Sequence, residues 1–152
     1  MPPVPGQLDL LRDWTPPAVT DRFDDVRVRA ASLSSRICLA ISAALKDSGD
    51  SRAQVAKAMS DFLGEAVTKN MLDAYASPAR EDHTITLARF VALLAATKDR
   101  RLLELVAEGM GWAVIERRHL PLIELAAVTE RQADLARHAD ALRRKARQGG
   151  GL

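Results

Sequence analysis

Residues 51–76 read SRAQVAKAMSDFLGEAVTKNMLDAYA, and this stretch decides the fold. Ser51 and Gln54 form an S-x-x-Q capping box, in which the hydroxyl accepts the backbone N–H of Gln54 while the glutamine reaches back. A helix starts there, with Val55, Ala56, Met59 and Phe62 or Leu63 on its inner face, and Gly64 serves as a left-handed stop. Thr68 caps a second helix, Lys69 to Ala76, whose inward residues are Met71, Leu72 and Tyr75; Ser77 and Pro78 end it. Two short capped helices joined by a turn are the layout of a helix-turn-helix, in which the first helix braces and the second enters the major groove.

The flanking sequence extends this helical pattern. Upstream, Leu33, Ile37, Ile41 and Leu45 recur at four-residue steps and predict one helix from Val26 to Lys46. Downstream, Thr84 or Thr86 caps a fourth helix with Leu87, Phe90, Val91 and Leu94 inward. A fifth, Asp99 to Glu108, places Leu102, Leu103 and Val106 inward. Gly109 and Gly111 break it, and Trp112 to Arg118 has the β-branched content of an extended segment. A long helix follows from Pro121 to Arg147. Val128, Leu135 and Leu142 fall seven apart with Gln132 and Ala139 between them, a thin coiled-coil seam. Five prolines in residues 1–25 forbid a continuous helix. They predict an arm that Leu8, Leu10, Leu11, Trp14 and Phe23 anchor. The expected organisation is an all-α protein: arm 1–25, a five-helix helix-turn-helix domain 26–118, a C-terminal helix 119–148 for oligomerisation, and a flexible tail 149–152.

Composition bounds the function. The chain has 152 residues, 47% apolar and 28% charged, with 4% aromatic residues, a mixture that favours helices over sheets. A single cysteine, Cys38, excludes an internal disulfide. No apolar run approaches the roughly 18 residues of a membrane span, and residues 1–10 lack the basic start of a secretory signal. A cytoplasmic protein that does not enter membranes is therefore expected. The net charge is +2, which permits nucleic-acid binding without requiring it.

The second helix of the motif carries the chemistry. Its outward residues are Thr68, Lys69, Asn70, Asp73 and Ala74. Lys69 suits guanine O6/N7 or a phosphate, Asn70 suits adenine N6/N7, and Asp73 can accept from cytosine N4. Thr68, Lys69, Asn70 and Asp73 are thus the candidate base-reading set, with Arg52 and Arg80 placed for phosphates. Glu81 and Asp82 add negative charge nearby. From Ala56 to Gly64 is eight residues, where the compact motif has roughly four.

The string KNMLDAYASPAREDH at 69–83, within a longer match over 52–97, resembles small DNA-binding proteins of Mu-like transposable phages and prophages, often labelled DNA transposition proteins. Trp14-Thr15-Pro16-Pro17 and Gly111-Trp112-Ala113-Val114-Ile115-Glu116-Arg117-Arg118 are similar to the same group. The resemblance implies a phage-repressor-like helix-turn-helix domain, with the lengthened turn as its departure. It also implies work on DNA in a phage context; with the helix-turn-helix pattern, the expected function is sequence-specific binding of double-stranded DNA in transcriptional regulation or transposition.

Other chemistry is poorly supported. His83, His119 and His138 share no metal spacing with Cys38, which reads as a small core residue. The pairs Asp24–Asp25 and Glu81–Asp82 lack a nucleophile or phosphate loop beside them, so no enzyme, metal or cofactor is expected. Trp14 and Trp112 read as packing anchors rather than base-stacking platforms. Arg143 to Arg147 read equally as a phosphate-binding tail or a solvated helix end. A single reading helix binds weakly, so a homodimer is expected, joined through the C-terminal helix. The competing reading is a helical adaptor that captures a transposase or a host polymerase subunit without touching DNA.

Overall fold

The computed structural model describes residues 19–80 and 83–150, and the regular secondary structure among them is all helical, with no strand. The chain divides into two compact units, Met1–Val114 and Ile115–Leu152.

The first unit contains α1 (Asp25–Val28), α2 (Leu33–Asp47), α3 (Arg52–Leu63), α4 (Lys69–Tyr75), α5 (Leu87–Thr97) and α6 (Arg101–Glu108). The single helix predicted over Val26–Lys46 is two. Asp24 caps the first, accepting the Val26 N–H at 2.9 Å, and Arg29 then turns extended. Ser32 restarts the chain, its hydroxyl accepting the Ser35 N–H at 3.1 Å. Each cap satisfies an otherwise orphaned helix donor, and the break lets Val28 bury.

The core gathers around α2, where Ala40, Ile41 and Ala44 are fully buried. Val55 and Met59 from α3, Leu72 from α4, Leu93 from α5 and Leu102 from α6 meet it there. Each large side chain contributes about 1.5–3 kcal/mol by leaving water. α5 packs chiefly on α3, on a face that keeps Phe90 and Leu94 of the predicted inward set but not Leu87 and Val91. Ala92 and Leu93 are buried and Phe90 and Leu94 half-buried, while Leu87 is 78% exposed and Val91 is exposed. The larger side chains define a plausible stripe, but the alanine at 92 allows the closer approach to a neighbouring helix. α6 is turned in the same way: Leu102 and Leu105 are inside and Leu103 is outside.

Polar groups complete the packing. Asp47, at the end of α2, accepts both guanidinium nitrogens of Arg27, at 2.8 and 2.9 Å, and one of Arg101 at 2.9 Å. Hydrogen bonds from Arg27 and then Arg101 hold its carboxyl well below the usual carboxylate range. Arg101 also pairs with Asp99 at 2.6 Å and lies 4.3 Å from the centroid of the buried Phe23 ring. Glu104 is buried among the apolar residues of α6. Its Oε2 accepts the Val114 N–H at 2.6 Å, and Arg22 approaches Oε1 at 3.4 Å. Residues 112–116 form neither helix nor strand, with Glu116 in extended backbone, and the predicted extended segment stops at the 3-10 turn that begins with Arg117; Trp112 is 66% exposed rather than an anchor. Of the predicted arm residues, Phe23 is buried; Leu8, Leu10, Leu11 and Trp14 lie outside the described residues.

In the second unit a 3-10 turn, Arg117–His119, leads into α7, Leu120–Gly149. Pro121 occupies its first turn, where the missing N–H removes no helical bond. At 30 residues the helix is about 45 Å long. None of its residues is buried.

Candidate nucleic-acid interface

The α3–α4 pair is built by the capping chemistry that the sequence announces. The Ser51 N–H donates to Gln54 Oε1 at 2.8 Å and the Gln54 N–H to the Ser51 hydroxyl at 3.3 Å. Gly64 closes α3 at φ 69°, a left-handed conformation that costs glycine nothing. Five residues, 64–68, then lead into α4.

This connection is pinned from within. The Ser60 hydroxyl accepts the Val67 N–H at 2.8 Å, and its hydrogen is within reach of the Ala56 carbonyl at 2.8 Å and the Val67 carbonyl at 3.1 Å. Val67 is buried beside it. Thr68 caps α4 by accepting the Met71 N–H at 3.3 Å. From the far side, Arg89 of α5 donates to the Tyr75 hydroxyl at 2.7 Å and to Glu65 in the connection at 3.2 Å. The sequence reading named neither Ser60 nor Arg89. Ser60 follows Met59 on an apolar helix and carries no distinguishing pattern, and Arg89 acts across 14 residues.

α4 inserts Leu72, Ala74 and Tyr75 into the core and leaves Thr68, Lys69 and Asn70 exposed. Ala74, assigned outward from the sequence, is inward because a seven-residue helix packed on two sides buries more than one stripe. Asp73 is half-buried and is not a free acceptor. Arg52, from the first turn of α3, makes an ion pair with it, and Lys69 Nζ lies 3.2 Å away. Hydrogen bonds from Arg52 and then Lys69 hold the Asp73 carboxyl below its ordinary value. The structure therefore brings Arg52, Lys69 and Asp73 into one charge cluster that ties α3 to α4. Asn70 stands apart from it, with no side-chain hydrogen bond among the described residues. Arg80 is exposed beyond the end of α4, its backbone N–H bonded to the Ser77 carbonyl at 3.1 Å. Glu81 and Asp82 lie outside the described residues.

Among the described residues no three His, Cys, Asp or Glu side chains gather in a metal-binding group, and Cys38 is buried in α2. None of their helices is long and apolar enough to cross a membrane. No protein-family model, curated protein or solved structure matches this chain.

Proposed function

We propose that the protein binds double-stranded DNA sequence-specifically, with α3 and α4 acting as a helix-turn-helix of the phage-repressor-like class. The observation that carries this reading is the exposed edge Thr68–Lys69–Asn70 on a short helix whose opposite face is wedged into the core. A reading helix needs both properties: exposed side chains, and a backbone that does not yield when they engage bases. Capping, the Ser60 hydroxyl and Arg89 supply the rigidity. The connection of five residues is close to the three or four of the compact motif.

Within this reading the six candidate residues take different parts. Asn70 engages adenine without rearrangement, because no side chain or backbone group among the described residues holds its amide. Lys69 reaches guanine or a phosphate by releasing Asp73, and Asp73 reads cytosine only when its cations turn away. Arg52 therefore acts first as a positioning residue and as a phosphate contact when the cluster opens. Arg80 contacts phosphate, and Thr68 holds the helix start. The resemblance to Mu-like phage and prophage proteins supports a role in transcriptional regulation or transposition, in a cytoplasmic homodimer.

The test is Asn70→Ala in gel shifts. Loss of about 1–3 kcal/mol on the preferred sequence, with non-specific binding spared, is the expected result. Equal loss on every sequence would overturn base reading by Asn70. The adaptor alternative draws on the uncovered apolar residues of α7. It predicts that a chain lacking residues 120–152 loses capture of a transposase or polymerase subunit, while the intact chain never shifts a duplex.

A further inference from the structure

The seam of α7 can pair with an antiparallel copy of itself about a two-fold axis. Leu125, Val128, Gln132, Leu135, Ala139, Leu142 and Ala146 alternate at steps of three and four, the spacing of a coiled-coil core. All belong to a helix that buries nothing: Leu125 is 61% exposed and Leu142 52%. A second copy laid antiparallel sets Leu125 against the partner's Leu142, Val128 against its Ala139, and Gln132 against its Leu135. Leu125 and the partner's Leu142 then meet as a large apolar pair on each side of the two-fold axis, with Ala146 beyond them. The two Gln132 amides come together beside the two-fold axis, where a polar seam residue fixes the register.

Charge chooses the direction. Residues 115–134 carry three Arg against four Asp and Glu, for −1, whereas residues 135–152 carry five Lys and Arg against one Asp, for +4. A parallel pair stacks Arg143, Arg144, Lys145 and Arg147 of both copies at one end. An antiparallel pair lays each cationic end along the partner's mildly acidic half and brings Lys145 to Glu124 at the flanking seam positions, twice by symmetry. Opposed helix dipoles add to the same preference.

We infer that α7 is a self-association element that pairs antiparallel with a second copy of this chain, in the register that sets Gln132 against the partner's Leu135, with the two-fold axis between them. This rests on the homodimer of the proposed function but not on its DNA binding.

Disulfide trapping tests it in the full-length chain with Cys38→Ala. Leu125→Cys and Leu142→Cys proteins of different mass, mixed and oxidised, are expected to join mainly to each other. Charge exchange provides a second measurement that leaves the seam intact. Glu124→Lys alone, or Lys145→Glu alone, weakens self-association about tenfold at low salt, and the double exchange restores it. A dimeric mass with homodisulfides of Leu142→Cys, or no restoration by the double exchange, overturns the antiparallel register alone. A monomeric mass at all concentrations overturns the homodimer as well, and neither result alters the Asn70 outcome on DNA.

Discussion

The unit ending at Val114 and the helix α7 are both helical and both carry leucine-rich stripes, yet they solve the burial problem in opposite ways. In the first, Ile41, Met59, Leu72, Leu93 and Leu102 are fully shielded within one chain. In the second, Leu122, Leu125, Val128, Leu135 and Leu142 are all exposed. α7 is held by its own hydrogen bonds and by local pairs such as Arg143–Asp140 at 2.7 Å, each worth only a few tenths of a kcal/mol. The difference teaches that amphipathic periodicity predicts a helix equally well whether its partner is inside the chain or outside it. Most helical stability comes from packing, so the exposed apolar residues of α7 are where the proposed self-association would add stability.

Four substitutions break or sharpen this contrast. Leu72→Ala removes a fully buried side chain of α4 and should cost about 2–5 kcal/mol. The urea midpoint falls, and hydrogen exchange quickens across α2 to α6 but not in α7. Ser60→Ala leaves the backbone N–H of the buried Val67 without its hydroxyl partner and should cost about 1–3 kcal/mol. Faster exchange of the Val67 amide reads out that loss.

Acid acts on Asp47. Its folded carboxyl sits below the unfolded value, so the stability it brings is complete above the unfolded pKa of about 3.9 and drains away as pH falls below it. Urea midpoints taken from pH 7 down to pH 2 should decline less steeply for Asp47→Asn than for the native chain. The smallest effect is expected from Leu135→Ala in α7. It should move unfolding of the first unit by less than about 0.5 kcal/mol, while self-association in sedimentation equilibrium weakens.

The parts of this molecule that the sequence announces are those governed by local chemistry. Ser51, Gln54, Gly64, Thr68 and Pro121 act within one turn of where they stand, and the ends of α3, α4 and α7 follow from them. Which face of a helix is buried depends on the neighbour. The large residues Leu87 and Val91 pointed to one side of α5, whereas Ala92 and Leu93 lie against the core because a small residue permits a closer approach than a large one. The same holds at the candidate interface. The exposure of Lys69 and Asn70 is readable from spacing, but the capture of Asp73 by Arg52 joins positions 21 residues apart and belongs to the tertiary structure. Arg89, reaching Tyr75 and Glu65 from α5, is of the same kind.

Selection of bound fragments from a random double-stranded pool by the full chain tests whether the face of α4 bearing Asn70 reads a DNA duplex. The expected result is an enriched motif whose retention falls sharply with Asn70→Ala and far less with Leu135→Ala. Recovery of the pool without enrichment, or a motif held equally well by the Asn70 variant, would contradict it.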